Sequence, residues 1–81
     1  MNEWGLALTD KNRELYKKLG LNIAYYRKYK GISQLKLAEA VGISRVHISR
    51  LENGDSAISL DVLFAVCEAL DVLPCDMMTF R

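Results

Sequence analysis

The sequence predicts an all-α domain, and three observations carry the prediction. Apolar residues recur at steps of three and four along most of the chain. No run alternates apolar and polar residues over the length of a strand. Gly20, Gly31, Gly42, Gly54 and Pro74 cut the chain into stretches of helical length.

Each element has its own signal. Residues 1–10 read as an N-terminal arm carrying Trp4, Leu6 and Leu8, and residues 11–81 as a single domain. Thr9 or Asp10 is placed to cap a first helix from Lys11 to Lys30, in which Leu15, Leu19, Ile23 and Tyr26 form one apolar stripe. Gly20 weakens this helix by about 1 kcal/mol relative to Ala and is a candidate break. Ser33 suits the N-cap of a second helix, Gln34 to Val41, with Leu37, Ala38 and Val41 inside. Gly42 follows where a left-handed C-cap costs glycine least. Ser44 caps a third helix, Arg45 to Asn53, with Ile48 and Leu51 inward, and Gly54 stops it.

Ser59 caps a fourth helix, Leu60 to Leu70. Two apolar stripes are expected on it, one of Leu60, Leu63, Phe64, Cys67 and Leu70, the other of Val62, Val66 and Ala69. Pro74 fits the first turn of a short fifth helix, and Met77, Met78 and Phe80 leave an apolar end. The surplus apolar surface on the fourth helix and at this end calls for a partner, which is expected to be a second copy of the chain.

Size and composition narrow the function. A chain of 81 residues makes one domain and buries roughly 60% of its unfolded surface, which leaves little room for an enclosed active site. The longest apolar run, Val62 to Cys67, is far short of the ~20 residues that span a membrane. Glu3, Asp10, Lys11, Arg13 and Glu14 leave no secretory apolar segment near the start, so a cytoplasmic protein is expected. Cys67, Cys75 and His47 are too few and too scattered for a structural zinc site, and both cysteines are expected to be buried. One histidine and dispersed acids assemble no catalytic set, so neither an enzyme, a cofactor nor a metal is expected.

Charge is distributed unevenly. Residues 11–50 hold ten Lys or Arg against Glu14 and Glu39, a net +8, while residues 51–81 carry a net −5. One face can therefore meet a polyanion although the whole chain is only +1.

The most informative stretch is Gln34 to Asn53, QLKLAEAVGISRVHISRLEN, two short helices joined by a tight glycine turn. With Ile48 and Leu51 turned inward, Arg45, Val46, Ser49, Arg50 and Asn53 point outward. Arginine can bond guanine O6 and N7 together, and valine can meet a thymine methyl, so this face suits a DNA major groove. SQ at Ser33 and Gln34, LA at Leu37 and Ala38, VG at Val41 and Gly42, and the IS–LENG run from Ile48 to Gly54 resemble the phage-repressor (Cro-type, xenobiotic-response-element) helix-turn-helix family. The similarity extends from Leu19 to Met78.

That resemblance implies a five-helix, lambda-repressor-like DNA-binding domain, with its helix-turn-helix at 34–53 and its recognition helix at 45–53. It puts base reading on Arg45, Val46, Ser49 and Arg50, and backbone phosphates on Gln34 and Asn53. It also pairs Arg27, late in the first helix, with Glu52. Lys36 stands where the family often has a glutamate, and becomes a further phosphate contact together with Ser44. His47 flanks the reading face, toward phosphate or solvent. Lys28, beside Lys30, Tyr25 and Tyr29, is either a phosphate contact or part of a solvated face. The expected function is sequence-specific binding of double-stranded DNA by a small transcriptional regulator, as a homodimer on a two-fold-related operator. The alternative is a protein-interaction module, such as an antitoxin that masks a toxin and binds DNA secondarily.

Overall fold

The structure, a computed structural model, describes residues 10–80. Five helices follow in order: α1 (Asp10–Lys30), α2 (Gln34–Val41), α3 (Arg45–Asn53), α4 (Leu60–Leu70) and α5 (Pro74–Met77). No strand occurs among the described residues. The candidate cap Thr9 and the apolar Trp4, Leu6 and Leu8 lie outside them.

Three serines start three helices by one mechanism. The first amides of a helix have no carbonyl partner, and a side-chain oxygen just before the helix can accept from one of them. Ser33, Ser44 and Ser59 each hold extended backbone angles and accept from the N–H of Lys36, His47 and Val62 at 3.0, 3.0 and 3.2 Å. Leu73 offers α5 no such bond, and Pro74 stands at its first position, where a missing N–H is harmless.

The core is drawn from every helix: Leu19 and Ile23 of α1, Leu37 and Ala38 of α2, Ile48 and Leu51 of α3, Leu63, Val66, Cys67 and Leu70 of α4, and Met77 of α5. Several expectations are corrected here. Leu15 is 48% exposed: it lines an open apolar hollow at the edge of the core with Leu60, Met78 and Phe80. On α4 both expected stripes contribute to the core, Leu63, Cys67 and Leu70 from one and Val66 from the other with Val62 and Ala69 half-buried beside it, while Leu60 and Phe64 are 65% and 51% exposed. Met77 is fully buried and belongs to the core, not to an apolar end. Cys75 is exposed on the outer side of α5, whereas Cys67 is buried.

Gly20 does not break α1. A Cβ there would lie 2.5 Å from the carbonyl oxygen of Glu52 and would collide with that of Leu51 as well. The glycine lets the α1 backbone rest directly on the end of α3, which fixes the level at which the two helices cross.

Asn22 is one of the buried polar residues. Its Nδ2 donates to the carbonyls of Met77 at 2.8 Å and Thr79 at 3.0 Å, tying the C-terminal segment to α1. α4 closes on Asp71, the one described non-glycine residue with positive φ (57°).

Candidate nucleic-acid interface

The α2–α3 unit is built around a sharp reversal. Gly42 adopts φ 87° and ψ 28°, a left-handed conformation that a side chain would strain, and its N–H returns to the Ala38 carbonyl at 2.8 Å. Ala38 is buried beneath α3, where a larger side chain would push the helices apart. Ile48, Leu51 and Glu52 face inward, so the opposite side of α3 is free.

That free side carries Arg45, Val46, Arg50 and Asn53, all exposed, with Ser49 half-buried between them. Lys36 and Ser44 are exposed nearby, and Gln34 and His47 are half-buried. Of the residues expected to touch phosphate, Lys28 alone lies off the α2–α3 unit, exposed on α1 beside the ring-stacked Tyr25 and Tyr29.

Behind α3 lies a buried ion pair. Arg27 Nε donates to Glu52 Oε2 at 2.6 Å and Nη2 to Oε1 at 3.1 Å, while Nη1 donates to the Ile32 carbonyl at 2.9 Å. Gln34 Nε2 completes the set on Glu52 Oε1 at 3.0 Å. The carboxylate thus receives three donors, and the guanidinium uses all three of its nitrogens. Hydrogen bonding on this scale is what makes a desolvated pair tolerable. The Gln34 amide reaches further, since its Oε1 accepts from Arg45 Nη1 at 3.4 Å. An unbroken chain of polar contacts therefore runs from α1 through Glu52 and Gln34 to an exposed arginine on α3.

Ser56, in the loop after α3, carries no sequence signal of its own. It lines a hollow of about 360 Å³ together with Ser44, Val46, His47 and Arg50. Hydroxyl residues are common in loops.

This arrangement matches a known family model, described as helix-turn-helix, over residues 23–76. The chain belongs to the helix-turn-helix family. Among curated relatives of this helix-turn-helix protein, antitoxin PezA of Streptococcus pneumoniae is 38% identical over 60 residues, which cover 74% of this chain and 38% of the antitoxin. The uncharacterized HTH-type transcriptional regulator YozG of Bacillus subtilis is 37% identical over 62 residues, 75% of this chain and 74% of that one. The crystal structure of the clp gene regulator ClgR from C. glutamicum superimposes with a TM-score of 0.77 at 34% identity, covering 79% of this chain and 82% of the other. No helix among the described residues is long and apolar enough to cross a membrane.

Proposed function

We propose that this helix-turn-helix protein is a transcriptional regulator that binds double-stranded DNA in a sequence-specific way, with α3 in the major groove. Its family is one of DNA-binding regulators, not of enzymes. The observation that carries the reading is the two-sidedness of α3: Ile48, Leu51 and Glu52 are held in the core while Arg45, Val46 and Arg50 stand free. Arg45, Val46, Ser49 and Arg50 read bases, and Gln34, Lys36, Ser44, His47 and Asn53 hold phosphates and set the register. Lys28 adds charge from α1. The buried Arg27–Glu52 pair and Gln34 present Arg45 at a fixed angle.

One such domain reads only a few base pairs, so the protein works as a homodimer whose two recognition helices stand about one turn of DNA apart. The exposed Leu60, Phe64 and Met78, with Leu15, supply apolar surface for the dimer contact. Selection of duplexes from a random pool tests the whole reading. An enriched, two-fold-related motif is the expected result; a pool that remains random after repeated rounds contradicts it.

The likeness to an antitoxin favours a second reading, in which the domain also serves a partner protein. Under that reading the enriched motif persists, and a toxin encoded beside the gene binds a surface other than α3.

A further inference from the structure

We propose that residues 1–9 fold back along the first turns of α1 and that Trp4 fills the apolar hollow between α1, α4 and the C-terminal segment. This inference stands apart from the DNA-binding reading. The hollow, about 300 Å³, is walled by Leu15 and Leu19 of α1, Leu60 and Leu63 of α4, and Met78 and Phe80. No charged residue is among its described walls, which are apolar apart from Asn12 and the Tyr16 hydroxyl. Leu15, Leu60 and Met78 each leave about half or more of their surface open. Covering such hydrocarbon is the favourable direction in water.

The walls are held from behind. Leu19 and Leu63 are core residues. Asn22 ties the segment that carries Met78 and Phe80 to α1, through the carbonyls of Met77 and Thr79. The space therefore stands before anything enters it, and an occupant gains apolar contact without rearranging the helices.

Position, reach and pattern name the occupant. α1 begins at Asp10, and Asn12, two residues on, already lines the hollow. Residues 1–9 are tethered at that point, so entering the hollow is an intramolecular step for them. Trp4 stands six residues before Asp10, up to roughly 20 Å of extended chain. From Asp10 to Leu19, α1 advances about 14 Å. Trp4 thus reaches every wall that α1 contributes. Trp4, Leu6 and Leu8 follow at steps of two, so an extended segment presents all three to one side. An indole brings a large apolar area to such a space from a single side chain. Phe64, exposed on α4, is not a wall of the hollow and stays open to a second copy.

Trp4 is the only tryptophan of the chain, so its fluorescence reports this one site. In the full 81-residue protein its emission is expected at shorter wavelength than in urea, shielded from acrylamide, and unchanged on dilution. Leu15→Glu puts a charge into the hollow at a half-exposed position. It is expected to move the emission to that of the unfolded chain while circular dichroism keeps its helical signal. Met78→Glu, on the opposite wall, does the same, and Phe64→Glu leaves the emission where it was. A native emission equal to that of the unfolded chain overturns the proposal, whatever the variants do. So does a short-wavelength emission that neither Leu15→Glu nor Met78→Glu moves. Shielding that appears only as protein concentration rises gives the hollow to a second copy, and shielding that appears only on adding duplex DNA gives Trp4 to the DNA; either result also overturns it.

Discussion

Glu52 is the side chain on which three helices converge, and its loss is felt through its partner. Glu52→Ala leaves Arg27 buried without a counter-charge and is expected to cost about 3–5 kcal/mol of stability in urea unfolding. Replacing both members by apolar residues, Arg27→Met with Glu52→Leu, recovers most of that loss. The two cysteines differ in reach. Burial pushes the Cys67 thiol above its ordinary range, and a thiol must ionise to react. A thiol-directed label at neutral pH is therefore expected to modify Cys75 in the native protein and Cys67 only after unfolding, as intact mass reads directly. The serine caps were legible because a hydroxyl residue before an apolar period has a local mechanism. The Arg27–Glu52 pair was legible only through resemblance. Asn22 was not legible, since its partners are backbone carbonyls more than 50 residues away in sequence.

Helix boundaries followed their local signals closely, whereas helix faces did not always follow. An apolar stripe tells which residues prefer burial, but not whether a neighbour is there to bury them. Leu15 fits the α1 stripe and still stays half exposed at the edge of the core. Leu60 and Phe64 were placed on a wide α4 face, of which only the centre is covered. Gly20 carried the opposite ambiguity: its spacing suggested a break, and the contact that explains it comes from α3. The end of α4 holds a correctable flaw. Asp71 sits in the left-handed region and brings a carboxylate to the negative end of the helix dipole. Asp71→Asn keeps a side chain that tolerates this conformation and removes the charge. It is expected to raise stability by roughly 0.3–1 kcal/mol in thermal or urea unfolding.

At the scale of the whole molecule, the two signs of charge are separated along the chain. The basic residues concentrate before position 51 and the acidic ones after it, so the molecule can approach a polyanion with one side while its net charge stays at +1. The apolar residues left exposed on α4 and near the C-terminal end argue for self-association. Leu60→Glu with Phe64→Glu is expected to leave the core intact and to shift sedimentation from dimer to monomer. A double variant that sediments unchanged would move the contact elsewhere.

The most direct test of the DNA-reading surface compares the binding preferences of Arg45→Ala and Lys36→Ala over a random duplex pool. Arg45→Ala is expected to relax the choice of base at one position of each half-site, at a cost of about 1–3 kcal/mol on the preferred sequence. Lys36→Ala is expected to weaken all sequences alike and to flatten the salt dependence. Identical base preferences in the two variants would contradict the assignment of α3 as the reading helix.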